Sequence, residues 1–232
     1  MKRIKRLNCR IERAAMGILG ILLGIVCIGG MGREAELTDF EAMAGCQDEN
    51  PKLALTFDDG PSEYTIALSK GLKELGVQAT FFLLGENMEG KEEAVKQLAQ
   101  DNHLLGNHSY HHVQLNKLSQ RKACQEIIKT NNLIYEYTGL YPMYIRPPYG
   151  EWDKELDCGV NMIPVFWSVD SLDWKLKNTE QIVKRVLTQV EDGDIILMHD
   201  GYATSVEAAF QIVDQLKKEG YQFVTVDQML VD

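Results

Sequence analysis

Five short polar clusters follow apolar, strand-like runs in this chain, and they contain side chains that bind metals and move protons. The clusters are Thr56–Gly60 (TFDDG), His108–His112 (HSYHH), Arg146–Gly150 (RPPYG), Asp170–Trp174 (DSLDW) and Leu197–Asp200 (LMHD). In a parallel β/α structure all strands point the same way, so residues at strand ends meet on one face however distant they are in sequence. The sequence therefore predicts a metal site with an acid and a base beside it.

The metal ligands are predicted from two histidines and a carboxylate. His108 and His112 are four residues apart, a spacing that brings two imidazoles to one side of a helical turn or tight loop. His108 and His111 form a second pair whose spacing could also bind one ion. One carboxylate and two histidines leave coordination positions for water and substrate, which suits Zn²⁺ or another divalent transition metal. We assign the carboxylate ligand to Asp59.

Asp58, beside that ligand, is then available as a general base. Adjacent residues of a strand point to opposite sides, so both carboxylates reach one site only where the strand breaks into a turn. Gly60 and Pro61 are typical of such a break, although the same residues are ordinary in a purely structural turn. Arg146 precedes two prolines that stiffen the backbone, and a guanidinium beside a base carboxylate favours its ionised form. A surface ion pair is the simpler interpretation of Arg146.

His199 ends the most apolar strand and is the natural general acid. A carboxylate must hold this imidazole protonated and oriented. Asp170, Asp173 and Asp200 are the candidates, and we prefer Asp173, with Asp170 second. Trp174 is a candidate for lining the pocket, although a Trp at the rim of a barrel is often part of the core.

The overall charge argues against a nucleic-acid partner. The 232-residue chain has a net charge of −10 and a pI near 5.0, and residues 1–13 alone carry a balance of +5. The remainder is therefore strongly acidic, whereas affinity for nucleic acid comes largely from Lys and Arg at phosphates. No oligomeric state is indicated.

The basic start leads into Ala14–Gly32, nineteen residues without a charge. As a helix this segment is roughly 28 Å long, close to the hydrocarbon thickness of a bilayer. We predict a cytoplasmic basic segment (1–13), a transmembrane signal anchor (14–32) that places the rest outside, a linker (33–50) and a catalytic domain (51–232). A cleaved signal peptide followed by secretion is the alternative.

The five cysteines do not form a disulfide framework. Cys9 and Cys27 lie before or within the apolar segment, and Cys46, Cys124 and Cys158 remain. An odd number with this spacing does not match a zinc knuckle. One bridge between Cys124 and Cys158 and three free thiols are equally compatible with the sequence.

From Pro51 onward, strand-length apolar runs alternate with helical segments, which indicates an α/β fold. Seven strands are predicted: Leu53–Phe57, Ala79–Leu84, His103–Gly106, Met143–Ile145, Ile163–Val169, Asp194–Met198 and Gln222–Val226. Several are apolar throughout, as expected of parallel strands covered on both faces. We predict a closed or nearly closed, distorted (β/α) barrel, with a doubly wound open sheet as the alternative.

Three helices have recognisable faces and ends. The first contains Leu68, Leu72 and Leu75 and stops at Gly76. The second begins at a cap, Asn178 or Thr179, has Ile182, Val183, Val186, Leu187 and Val190 on its apolar face, and ends at Gly193. The third contains Val206, Phe210, Val213 and Leu216 before Gly220.

The five clusters, in this order, resemble the motifs of the polysaccharide deacetylases (the NodB-homology or carbohydrate esterase family four group). The resemblance spans Leu53 to about Val226. It implies a distorted (β/α) barrel, a divalent metal held by an Asp-His-His triad, and removal of acetyl groups from N-acetylated sugars. The metal is commonly zinc, with Co²⁺, Mn²⁺, Ni²⁺ or Fe²⁺ as other possibilities.

Carried over by position, the resemblance implies a role for each motif residue. Asp58 is the base, Asp59, His108 and His112 are the ligands, His199 is the acid, Arg146 tunes Asp58 and Asp173 supports His199. The backbone amide of Tyr149 helps to bind the oxyanion, and Trp174 and Leu197 line the acetyl pocket. With the anchor, the resemblance favours peptidoglycan N-acetylglucosamine as substrate. Chitin-type oligomers, another exopolysaccharide and O-acetylated xylan are alternatives, as is a membrane-tethered sugar-binding module with a structural metal.

Overall fold

The computed structural model describes residues 50–231 as alternating strands and helices. The strands are β1 (Lys52–Gly60), β2 (Thr80–Leu83), β3 (Leu104–Asn107), β4 (Tyr144–Ile145), β5 (Ile163–Pro164), β6 (Val169–Asp170), β7 (Asp194–His199) and β8 (Gln222–Val224). The helices are α1 (Thr65–Glu74), α2 (Gly85–Met88), α3 (Glu92–Gln100), α4 (Gln120–Thr138), α5 (Asp173–Leu176), α6 (Thr179–Gln189), α7 (Ala203–Lys218) and α8 (Val226–Val231). Short 3₁₀ turns occupy Leu115–Lys117 and Pro148–Gly150.

The strands form one parallel sheet in the order β5-β4-β3-β2-β1-β7-β6, and β8 pairs with the start of β1 outside that order. The sheet curls into a half-barrel with seven strands along its path, so the predicted α/β class and parallel sheet are confirmed, whereas full closure is not. The central strand β1 is almost wholly buried and pairs with β2, β7 and β8. This burial explains why its sequence is apolar up to the first carboxylate.

One predicted strand was wrong in detail. The run Ile163–Val169 forms two short strands at opposite edges of the sheet, because its backbone changes partner part-way along. Val165 donates its amide to the carbonyl of Ile145 in β4 at 2.8 Å, and Ser168 donates to Ile195 in β7 at 3.0 Å. This segment therefore links the two edges of the curled sheet.

The helix predictions agree with the structure apart from small differences at the ends. Helix α1 buries Leu68 and Leu72 and is followed by Gly76 at φ 67°, a left-handed conformation that suits glycine. Helix α6 begins after Asn178, whose side-chain oxygen accepts a hydrogen bond from the amide of Gln181 at 3.0 Å. It ends at Gln189 rather than at Gly193. Each fully buried Leu contributes about 1.5–3 kcal/mol relative to an exposed one.

A buried carboxylate joins α1 to the end of α3. Asp101 accepts hydrogen bonds from Ser69 at 2.7 Å, Lys73 at 2.7 Å and Gln97 at 2.8 Å. Burial alone would raise the pKa of Asp101, but the hydrogen bonds, that of Lys73 first, lower it to about 2. The ionised form therefore stabilises the contact between these helices.

We expect Asp101→Asn to destabilise the fold by about 1–2 kcal/mol at neutral pH, because Lys73 is largely exposed and solvent screens part of the interaction. Because the pKa of Asp101 is lower in the folded state, its carboxylate stabilises the fold at pH values above its unfolded-state pKa of about 3.8. This contribution is lost as the pH falls towards 2. Urea unfolding at pH 6, 4 and 3 should show the difference between wild type and variant shrinking. Asp214→Asn, which changes an exposed carboxylate on α7, is the control. A difference that stays constant with pH would contradict this account.

Cys124 and Cys158 form a disulfide with a Cα–Cα distance of 5.1 Å, which decides between the two alternatives left by the sequence. The bridge ties α4 to the irregular segment that follows the Arg146–Gly150 cluster. Among residues 50–231, no helix combines the length and apolar character needed to cross a bilayer. The predicted basic segment and anchor, nearly all of the predicted linker, and Cys9, Cys27 and Cys46 lie outside the described residues, and those assignments stay predictions.

Candidate metal centre with flanking acid and base

The two adjacent carboxylates reach one site because β1 is irregular at its end. The register of β1 against β2 shifts between Asp58 and Gly60, and Asp59 has φ 68°. A left-handed residue here turns the Asp59 side chain to the side that Asp58 already faces. The sequence predicted the break at Gly60 and Pro61, and the structure places it one residue earlier. Such strained positions in non-glycine residues are typical of functional sites.

Asp59, His108 and His112 converge as predicted. Oδ1 of Asp59 lies 3.4 Å from Nε2 of His108 and 3.6 Å from Nε2 of His112. One potential ligand atom from each of the three residues lies within 4.8 Å of the others. Donors about 2 Å from a shared tetrahedral ion lie roughly 3.3 Å apart, so these separations suit one ion. Oδ1 of Asp59 is also buried without a hydrogen-bond partner, as expected of an atom whose partner is a cation. The residues present therefore fit a divalent metal.

The histidine ring nitrogens are arranged for ligation. Nδ1 of His108 lies 2.6 Å from the carbonyl oxygen of Arg146, so Nδ1 carries the proton and Nε2 is left as the ligand atom. Burial, and to a lesser degree the proximity of the His108 imidazole, lower the pKa of His112, which favours the neutral form that binds a metal. Burial opposes ionisation of Asp59, but its electrostatic interactions with the nearby imidazoles, that with His108 first, lower its pKa.

His111 is not part of this set, so the structure brings His108 together with His112 rather than with His111. Its Nδ1 lies 2.8 Å from Oε1 of Glu126, and its side chain is 54% exposed. The intervening loop has left-handed residues at Ser109 and His112, and it directs His111 away from Asp59. Residue spacing alone could not distinguish the two pairs, because both suit a helical turn and this loop is not helical.

Asp58 is held by a fully buried guanidinium. Nη1 of Arg146 donates to Oδ1 of Asp58 at 2.8 Å and to Oγ1 of Thr56 at 2.7 Å, and Arg146 is 0% exposed. The other Asp58 oxygen, Oδ2, lies 3.8 Å from Nε2 of His108, on the side of the metal centre. The surface-pair interpretation of Arg146 is therefore wrong. The ion pair orients one oxygen and leaves the other directed at the site.

On the other side of the site, Asp173 is the carboxylate that holds His199. Oδ1 of Asp173 lies 2.8 Å from Nδ1 of His199, and Oδ2 accepts the His199 amide at 2.8 Å. Burial would lower the pKa of His199, but the bond with Asp173 and the charges of the nearby carboxylates raise it to about 9. Asp170 instead accepts the amide of Leu172, and Asp200 accepts the hydroxyl of Thr65. Neither of these two alternatives holds the imidazole.

We expect Asp173→Asn to lower kcat by about 10²-fold or more, because His199 loses the group that keeps it charged and oriented. Without that carboxylate the pKa of His199 falls from about 9 towards its ordinary value. The alkaline decline of kcat should then begin at lower pH, since the acid form is lost earlier. Asp170→Asn is the matched control, because its retained oxygen can still accept the Leu172 amide. A pH profile in which the two variants agree would remove Asp173 from this role.

The three predicted substrate-contacting residues, Trp174, Tyr149 and Leu197, differ from one another in their position relative to the site. Trp174 is 49% exposed and lines a cleft of about 250 Å³ together with Asp59 and His199. Tyr149 has φ 61°, and its ring centroid lies 4.6 Å from that of His112, which puts its turn beside the candidate metal centre. Leu197 is 5% exposed within β7 and does not line this cleft. All three roles stay predictions.

Several supporting residues were missed by the sequence reasoning. Asn87 donates to the backbone carbonyl of Asp59 at 2.7 Å, and Asn107 accepts the amide of Ser109 at 2.7 Å. Glu126 accepts hydrogen bonds from the same loop. These are ordinary polar residues outside the clusters, and nothing in their local sequence distinguishes them from surface residues.

The described fold brings a candidate metal-ligand set together with a carboxylate on one side and an imidazole on the other. The sequence model of the family described as polysaccharide deacetylase matches residues 46–163. The chain belongs to the polysaccharide deacetylase family.

Three named relatives are similar over the described domain. Peptidoglycan-N-acetylglucosamine deacetylase PgdA of Listeria monocytogenes is 39% identical over 181 residues, which cover 78% of this chain and 39% of that protein. A peptidoglycan-N-acetylglucosamine deacetylase of Bacillus cereus is 41% identical, with 77% of this chain and 68% of that protein covered. The solved structure of peptidoglycan deacetylase PdaC from Bacillus subtilis superposes with a TM-score of 0.75 at 40% identity, covering 78% and 90% of the two chains. The alignment spans well under half of the length of the Listeria relative.

Proposed function

We propose that this chain is a metal-dependent deacetylase that removes N-acetyl groups from a cell-surface polysaccharide, with N-acetylglucosamine of peptidoglycan as the substrate. One observation carries the proposal: a ligand set of Asp59, His108 and His112 lies between a carboxylate, Asp58, and a charged imidazole, His199. Amide hydrolysis needs a base for water and an acid for the amine, and both are present. The names of the relatives support the choice of glycan.

The chain's own residues would divide the reaction between them. A divalent metal, for which we propose zinc, would be held by Asp59, His108 and His112, and would polarise the acetyl carbonyl and lower the pKa of a water molecule. Asp58, oriented by Arg146, accepts a proton from the attacking water through Oδ2.

The C–N bond then breaks, and His199 donates a proton from Nε2 to the departing amine. Acetate and a free amino sugar are the products. The backbone amide of Tyr149 is proposed to donate to the oxyanion. Trp174 and Leu197 are proposed to enclose the acetyl methyl group.

The activity is tested by acetate release from purified peptidoglycan, N-acetylglucosamine oligomers and acetylated xylan, each with and without a chelator. We expect chelator-sensitive release from peptidoglycan and the appearance of glucosamine in the hydrolysed wall. Release from oligomers or xylan alone would point to the alternative substrates. No acetate from any substrate in metal-replete protein would favour a sugar-binding module. Metal analysis, followed by reconstitution with Zn²⁺, Co²⁺, Mn²⁺, Ni²⁺ or Fe²⁺, tests the choice of metal.

We also propose that residues 14–32 anchor the protein in the cell membrane with the catalytic domain outside. The uncharged segment after a basic start supports this topology. The Cys124–Cys158 disulfide is consistent with an oxidising compartment. N-terminal sequencing of the protein from membrane and medium fractions tests the anchor. A shortened chain in the medium would instead favour signal cleavage and secretion.

A further inference from the structure

A glutamate outside the five clusters, Glu126 on α4, binds the loop that carries both histidine ligands. Its Oε2 accepts hydrogen bonds from the amides of Tyr110 at 3.1 Å and His111 at 2.8 Å. Its Oε1 lies 2.8 Å from Nδ1 of His111. The Glu126 side chain is 15% exposed, so these contacts are made by a mostly buried carboxylate. Hydrogen bonds to an ionised acceptor are the stronger kind.

The loop needs such a partner because its backbone is strained. Ser109 has φ 65° and His112 has φ 51°, and left-handed conformations of non-glycine residues cost on the order of 1–3 kcal/mol each. Between them, two successive amides point towards one oxygen, which is how turns of this kind bind anions. Glu126 supplies the anion from another element of the fold, and its hydrogen bonds offset part of the strain.

Other contacts hold the opposite side of the loop. The carbonyl oxygens of Ser109 and Tyr110 accept hydrogen bonds at 3.0 Å from the amides of Gly85 and Glu86, respectively. A Cβ at Gly85 would lie 2.1 Å from the Tyr110 ring, so the loop and α2 are in close contact. These contacts bind the loop carbonyls and leave the two amides to Glu126. These contacts therefore do not replace the hydrogen bonds that Glu126 accepts from the two amides.

We infer that Glu126 is a positioning residue for the metal centre. It holds the 109–111 backbone so that Nε2 of His108 and Nε2 of His112 face Asp59 before an ion binds. The inference rests on the proposed metal centre. Groups that orient metal ligands typically contribute 10- to 100-fold to metal affinity or activity. The effect of Glu126 is therefore expected in metal affinity rather than in the chemical step.

The test compares the zinc affinity of wild type, Glu126→Ala and Glu126→Gln by competition with a chromogenic chelator. We expect a 10- to 100-fold weaker affinity for Glu126→Ala. Glu126→Gln keeps one oxygen for the two amides and should give a smaller loss. At saturating zinc, the kcat of both variants should return to within about threefold of wild type. Glu136→Gln removes an exposed carboxylate from the same helix and should leave zinc affinity unchanged.

Thermal unfolding of the metal-free proteins separates positioning from a purely structural role. The inference is overturned if Glu126→Ala is folded and binds zinc as wild type does. It is also overturned if Glu126→Ala is unfolded while Glu126→Gln is destabilised with unchanged zinc affinity. A wild-type chain that binds neither zinc nor cobalt would overturn the metal centre and this inference together, whereas equal affinities would overturn this inference alone.

Discussion

Replacing Asp58 by Asn is expected to lower kcat by about 10²–10⁴-fold while the bound metal is retained at one ion per chain. An amide has nearly the volume of the carboxylate, and its oxygen can still accept the Arg146 hydrogen bond, which is 2.8 Å long in the wild type. The asparagine side chain, however, cannot accept a proton from water. The rate should therefore fall through the loss of the base, with the ligand set undisturbed. Steady-state kinetics and metal analysis of the same preparation measure the two effects.

Thermal unfolding is the control for Asp58→Asn, because removing one partner of a buried ion pair is often strongly destabilising. Arg146 also contacts Thr56, which retains part of its hydrogen bonding in the variant. A folded Asp58→Asn protein that has lost its metal would mean that the roles of the two adjacent aspartates are exchanged. A folded variant with near-normal kcat would remove Asp58 from the chemistry.

The same substitution one residue later, Asp59→Asn, should lower metal affinity, whereas Asp58→Asn should lower kcat with the metal retained. We expect metal affinity to fall by at least about 10²-fold, since the anionic ligand is lost and two imidazoles remain. Asparagine tolerates positive φ better than most residues, so the backbone at φ 68° is preserved and the effect is confined to the ligand. Chelator competition measures the affinity. Activity should be absent at trace metal and should partly return with excess metal.

Asp214→Asn is the matched control for Asp59→Asn, because it removes an exposed aspartate from α7, far from any proposed ligand in sequence. It should alter neither metal affinity nor kcat. If Asp59→Asn bound metal as tightly as wild type, the proposed triad would be wrong. The contrast between Asp58→Asn and Asp59→Asn is the sharpest test, since the chemical change is identical and only the position differs.

Much of the fold was predictable because the signals are local. Apolar runs such as that of β1 indicate buried parallel strands, and the capping Asn178 marks the start of a helix in the sequence itself. The site could be located for a general reason: the carboxyl ends of parallel strands meet on one face. Asp58 and His199 illustrate this, because they are register partners on neighbouring strands although 141 positions separate them.

The division of Ile163–Val169 into two strands could not be predicted from its composition. The apolar run is continuous, but its hydrogen-bond partners change from β4 to β7 within a few residues. Which strand lies beside a segment depends on how the whole sheet curls. The partial closure of the barrel was unpredictable for the same reason.

The sequence by itself determined the type of site: two carboxylates, a histidine cluster, an arginine and a final histidine at successive strand ends. Only the tertiary structure decided which members act together. It directs His112 rather than His111 to Asp59 because Glu126, fifteen residues further along, binds His111. It sets Asp173 rather than Asp170 or Asp200 against His199, and Asp170 instead accepts the amide of Leu172 in the turn after β6. Residue type specifies what a side chain can do, whereas its partner is set by elements that are distant in sequence.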